Sequence, residues 1–177
     1  YTNSVSGGTP CADASTFTVS VSSLPAGTLI YFRAWATNDT GTGYSAESSV
    51  TTQAVVPTVT TPTFADVTDS TATLGGTVTD AGAPPTLTAC GVEWGTSAGS
   101  WPNSVSGGTP CTAGSPFTVP VTGLPSSTTI YFRAWATNSG SATGYSAESS
   151  FTTNAPATPP TVTVSPATNI GQNSATL

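Results

Sequence analysis

Ile130-Tyr131-Phe132-Arg133-Ala134-Trp135-Ala136-Thr137-Asn138 alternates strictly: apolar residues stand at 130, 132, 134 and 136, and larger or polar ones between them. A period of two belongs to a β-strand with one buried face, whereas a helix would repeat every ~3.6 residues. Ile130, Phe132, Ala134 and Ala136 are therefore expected to face a core, and Tyr131, Arg133 and Trp135 to face outward. The same nine residues stand one hundred positions earlier, at Ile30 to Asn38. Asn3-Ser4-Val5-Ser6-Gly7-Gly8-Thr9-Pro10-Cys11 likewise recurs at Asn103 to Cys111. Gly43-Tyr44-Ser45-Ala46-Glu47-Ser48-Ser49 returns at Gly144 to Ser150 after one inserted residue. Thr71-Ala72-Thr73-Leu74 is answered by Ser174-Ala175-Thr176-Leu177. A period of this length is that of a domain, well beyond the ~20–50 residues of solenoid repeats.

The repeat divides the 177 residues into three parts. Residues 1–53 are the C-terminal half of a first unit, 54–154 a complete unit, and 155–177 the N-terminal strands of a third. The chain opens inside a pattern that is whole further on, so it is expected to be a window on a longer polypeptide. Pro57, Pro156, Pro159 and Pro160 stiffen the short linkers. In the complete unit, strands are predicted at Thr58–Phe64, Thr71–Thr79, Thr88–Trp94, Asn103–Ser106, Pro116–Thr122, Thr129–Asn138 and Tyr145–Thr152. Short strands separated by Gly, Pro, Asp and Asn turns describe an all-β antiparallel sandwich. Leu74, Val78, Cys90, Val92, Trp94, Phe117, Val119 and Val121 complete the expected core. Residues 1–53 should contribute strands near 3–6 and 16–22 and the two that follow; 155–177 should contribute the first two strands of its unit.

Leu124-Pro125-Ser126-Ser127-Thr128-Thr129-Ile130-Tyr131-Phe132-Arg133-Ala134-Trp135-Ala136-Thr137-Asn138, with Gly144-Tyr145-Ser146-Ala147-Glu148 and Phe151-Thr152-Thr153, resembles strands F and G of a fibronectin type III-like module. The form is the one common in large bacterial secreted and surface proteins. Ala72-Thr73-Leu74-Gly75-Gly76-Thr77-Val78 and Cys90-Gly91-Val92-Glu93-Trp94-Gly95-Thr96-Ser97 match its strands B and C. The sequence departs from the pattern at Ile130, where the family usually carries the tyrosine of the tyrosine corner. The resemblance implies tandem sandwiches that act as binding or spacer modules, without a catalytic motif.

Composition narrows function further. Lys and Arg total 2, both Arg, against 8 Asp and Glu; His and Met are absent. So few cations exclude a nucleic-acid binder and a polybasic membrane contact. No apolar run approaches the ~20 residues of a membrane helix, so no membrane insertion is expected. Without His or Lys the commonest general bases and amine nucleophiles are missing, and no enzyme activity or cofactor is expected. Asp13, Asp39, Asp66 and Asp69 do not recur in the neighbouring unit, against a calcium site built once per repeat.

Cys90 and Cys111 share one unit, 21 positions apart. A disulfide between them, worth about 3 kcal/mol by loop closure, is expected in a secreted type of composition; two buried thiols are the alternative. Cys11 matches Cys111, so its partner is expected upstream of Tyr1. Arg133 is expected between Glu93 and Glu148, beside Tyr131 and Trp135, and Arg33 in the matching set with Tyr31, Trp35 and Glu47. These form a candidate contact patch; a plain surface ion pair is the alternative. Candidate glycan acceptors are Asn38, in an Asn-x-Thr sequon, Ser70 after Asp69, and Thr58, Thr60, Thr61, Thr161 and Thr163 near prolines. Threonine serving only β propensity is the alternative. The whole reads as an extracellular or cell-surface structural protein, a stalk, adhesin spacer or fibre shaft. Its partners would be neighbouring repeats or copies of itself, with covalent glycans. A carbohydrate- or ligand-binding accessory module of a secreted enzyme or adhesin is the alternative.

Overall fold

The computed structural model describes residues 1–8 and 10–176. Twelve strands occur among them: β1 Leu29–Phe32, β2 Trp35–Asn38, β3 Gly41–Tyr44, β4 Ser48–Thr51, β5 Thr58–Ala65, β6 Thr71–Asp80, β7 Leu87–Gly95, β8 Asn103–Ser106, β9 Pro116–Thr122, β10 Thr129–Asn138, β11 Thr143–Tyr145 and β12 Ser149–Thr152. Every named pairing is antiparallel, and no helix occurs among the described residues.

From β5 to β12 the strands make two facing sheets. One has the order β5-β6-β9; in the other β8 pairs with β7, β7 with β10, and β10 with both β11 and β12. Alternation within each strand decides the inner face. On β9, Phe117, Val119 and Val121 are buried while the residues between them are exposed. On β10, Ile130, Phe132, Ala134 and Ala136 are fully buried. Leu74, Val78, Cys90 and Val92 join them. Trp94, expected inside, is only half-buried and packs at the margin of this core. The ring of Phe64 at the end of β5 stacks on Phe151 at 5.2 Å and meets the edge of Phe132, closing that end of the sandwich with aromatic contacts.

The strand expected over Tyr145–Thr152 is interrupted. Ser146 turns inward, where its Oγ accepts the Ala134 N–H at 2.9 Å and donates to the Ala147 carbonyl. A side-chain hydroxyl thus replaces a rung of the ladder. Between Trp135↔Tyr145 and Phe132↔Ser149 the register slips by one residue, as in a β-bulge. Ser45 makes the same bond to Ala34 in the first copy, so the break is written into the repeat.

At the corner entering β10, Ile130 is buried where the family places its tyrosine, and Thr153 ties the corner instead. It is 3% exposed; its Oγ1 donates to the Pro125 carbonyl at 2.6 Å and accepts the Thr128 N–H at 3.0 Å. Thr52 makes the same two bonds to Pro25 and Thr28. Thr153→Val keeps the shape but removes both hydrogen bonds, leaving the half-buried Thr128 N–H and the Pro125 carbonyl without this partner. It should lower unfolding free energy by about 1–3 kcal/mol in urea denaturation, and an unchanged midpoint would dismiss this role for Thr153.

Residues 1–53 form two short ladders, β1 with β4 and β2 with β3. The strands expected near 3–6 and 16–22 do not form. Their counterparts β8 and β9 are held by β7 and β6, and neither partner has an equivalent within 1–53. The two strands expected in 155–177 are also absent among the described residues, 155–176. An isolated bridge joins Thr168 and Thr176, and Leu177 lies outside the described residues. Their counterparts β5 and β6 are seated on a facing sheet, which residues 155–176 lack.

Candidate functional site

The outer face of β7-β10-β11 carries the residues singled out by the repeat. Direct cross-strand pairing sets Arg133 opposite Glu93 and Trp135 opposite Gly91. The Arg133 guanidinium places Nη2 2.7 Å and Nε 2.8 Å from Glu93 Oε2. Two aromatic rings lie against the same group, Trp101 and Tyr145, each with its centroid 3.9 Å from Arg133 Cζ. Tyr145 is delivered by its pairing with Trp135, and Trp101 by the turn that leads into β8. Tyr131 and Trp135 flank the stack, half-buried. The Trp135 ring approaches Gly91, where a Cβ would lie 2.5 Å from it. The indole N–H groups of Trp101 and Trp135 are covered and have no hydrogen-bond partner.

Glu148 does not reach Arg133. It lies in the interruption between β11 and β12, and its Oε2 accepts the Gly99 N–H at 2.8 Å. The expected arrangement of Arg133 between two carboxylates is therefore corrected to one carboxylate and two rings. Trp101 and Tyr145 were not among the sequence candidates, although the repeat carried the signal: Trp101 aligns with Tyr1 and Tyr145 with Tyr44. In the first copy Arg33 lies over Tyr44 at 3.9 Å and over Tyr1 at 4.6 Å. The Tyr1 hydroxyl donates to Glu47, and this bond to a carboxylate pushes the Tyr1 phenol above its usual pKa. Tyr31 and Trp35 stand exposed there.

Lettered in chain order, β5, β6, β7, β8, β9 and β10 are strands A, B, C, C′, E and F, with β11 and β12 sharing the place of G, and the two sheets then have the order A-B-E and C′-C-F-G. The sandwich is fibronectin type III-like. A similar solved structure is the sixth fibronectin type III domain of human fibronectin type III domain containing protein 3, at 21% identity and TM-score 0.44, covering 60% of this chain and 93% of that one. Another is the FN1–FN3 segment of chicken CNTN1, at 16% identity and TM-score 0.46, covering 75% of this chain and 45% of that one. No protein-family model matches the sequence, and no curated protein matches it.

In this fibronectin type III-like frame the stacked arginine bridges the sheet from the C′ side to strand G. Its charge is paired with Glu93 and two rings lie against it, so it braces three elements with a quarter of its side chain exposed. Cation–π contact and a partly exposed ion pair together are worth about 1–3 kcal/mol. Arg133→Ala should lower stability by about that amount, with coupling to Trp101→Ala in a double-mutant cycle; zero coupling would show the stack to be idle.

Cys90, buried on β7, is bonded to Cys111 with Cα atoms 5.6 Å apart, and Cys11 is free and exposed. The bond fits an oxidising compartment. Of the candidate glycan acceptors, Asn38, Ser70, Thr58, Thr61, Thr161 and Thr163 are exposed and Thr60 half-buried. Asn38 Oδ1 accepts from the Thr40 N–H and hydroxyl, and the Ser70 hydroxyl donates to Asp69.

Proposed function

We propose that the chain is a section of an extracellular tandem array of fibronectin type III-like sandwiches, serving as a stalk, adhesin spacer or fibre shaft. The observation that carries this is repetition of side-chain detail across a hundred residues. The arginine–aromatic stack, the threonine corner and the inward serine each occur twice. Residues 1–53, 54–154 and 155–177 are then consecutive parts of three units. The features that recur hold strands together, as a module under extension requires, and the chain is not an enzyme in this reading. Neighbouring repeats are its partners, with glycans on the exposed serine, threonine and asparagine acceptors. Immunogold labelling of intact source cells with antibody to this chain should decorate surface stalks or filaments; label confined to the cell interior would overturn the proposal.

One observation favours a second reading, as a carbohydrate- or ligand-binding accessory module. Trp101, Tyr131, Trp135 and Tyr145 lie on one sheet face, and two indole N–H groups there lack partners. Glycan-array binding by the full chain that Trp101→Ala abolishes would put this reading ahead.

A further inference from the structure

Gly27 sits in the turn before β1 with φ +59°, and its counterpart Ser127 holds φ +50° with a side chain attached. The backbone conformation therefore does not demand glycine at position 27. The neighbour does: a Cβ there would meet Pro84 Cδ at 2.5 Å and the Ala54 methyl at 3.3 Å. Pro84 belongs to the loop between β6 and β7, in the complete sandwich. On its other side, Pro84 and Ala54 close on Gly140 in the β10–β11 turn, where a Cβ would lie 2.8 and 2.7 Å from them. The turn of the first copy is thus seated in a socket made from two loops of the second and from the linker between them.

The linker is fastened in the same place. Val55 exchanges backbone hydrogen bonds with Ala83, N to O at 2.9 Å and O to N at 3.1 Å. Asn138, 1% exposed at the end of β10, donates from Nδ2 to the Val55 carbonyl at 2.8 Å and to the Ala81 carbonyl at 3.2 Å. Its Oδ1 accepts from the Gly140 and Ala142 N–H groups. One side chain with every donor and acceptor engaged latches the linker to both loops of the socket.

The second joint cannot repeat this. Ser127 replaces Gly27 and carries the Cβ for which the first joint has no room. Pro156 replaces Val55 and has no N–H to donate. Five residues, Ala155 to Pro159, separate Asn154 from Pro160, where three, Ala54 to Val56, separate Gln53 from Pro57. We propose that the joint at 53–57 is a fixed socket latched by Asn138, and that the joint at 154–160 is built without it, so a seated joint and an unseated one, spaced only by its prolines, occur along one chain. Only the statement about the second joint rests on the array reading.

The test measures distances between nitroxide labels on Ser49→Cys and Thr122→Cys, in the full chain with Cys11→Ser and the Cys90–Cys111 bond intact. A single narrow distribution is expected; a broad one in this parent overturns the fixed socket. Gly27→Ser with Val55→Pro rewrites the first joint in the residues of the second and should broaden the distribution about twofold, because it removes the Val55 N–H bond to Ala83 and the close seat against Pro84. An unchanged width would overturn the difference between joints. Pro84→Ala, which opens the socket without touching the latch, should broaden it by a smaller factor; no change there would remove Pro84 from the joint. An unshifted thermal transition of the sandwich is expected in all variants. Neither outcome bears on whether the chain lies at the cell surface, which immunogold labelling decides separately.

Discussion

Replacing both Cys90 and Cys111 by alanine should lower the unfolding free energy of the sandwich by about 3 kcal/mol or somewhat more. For a domain of this size that is a fall in Tm of roughly 12–24 °C. The bond joins β7 to the loop before β9, tying the sheet that carries the arginine stack to the opposite sheet. Its entropic part comes from the 21-residue separation, which restricts the unfolded chain. Because Cys90 is 1% exposed and part of the core, its loss also removes packing atoms, which pushes the total upward. Thermal unfolding of the parent with and without reductant separates the two parts, since reduction breaks the bond but keeps both sulfur atoms. A Tm that neither reduction nor the double substitution moves would show that the cross-link is irrelevant to stability.

Much of the sandwich was legible in the sequence because its decisive signal is local. The alternation in β10 sorts each residue to a face without reference to any other strand, and β8, β9 and β10 have the bounds that the alternation predicts. What was not legible depends on non-local facts. The interruption at Ser146 arises because a hydroxyl can substitute for a backbone rung, and no hydrophobic pattern reports that. The missing strands of 1–53 and 155–177 reflect the general rule that a strand is stable only when paired and covered.

The arginine site divides in the same way. Its pairing with Glu93 follows from the adjacency of strands C and F. Trp101 approaches from a loop whose path alternation does not predict. Glu148 was misplaced because the bulge carries it off the ladder and towards Gly99. Matching the copies position by position would have found both rings, since an aromatic residue stands at each place in both.

Phe132→Ala should destabilise the protein by about 3–5 kcal/mol, whereas Phe32→Ala, an identical change in an identical nine-residue stretch, should cost no more than about 0.5 kcal/mol. Phe132 is 0% exposed and meets Phe64 and Phe151 edge to face; Phe32 is 49% exposed. The local sequence and the strand are the same, so only burial differs. β5 and β6 of the facing sheet cover the first ring, and no equivalent strands lie over the second among the described residues of 1–53. Chemical denaturation of the two variants, followed by the tryptophan fluorescence of the sandwich, gives the comparison directly. Equal losses would mean that Phe32 is covered as Phe132 is, and that residues 1–53 hold a core of their own. The expected inequality puts the cost on the facing sheet. By the same physics, joining 1–53 to strands equivalent to β5–β7 should bring the effect of Phe32→Ala up to that of Phe132→Ala, because the apolar face already has the right residues and lacks only its cover.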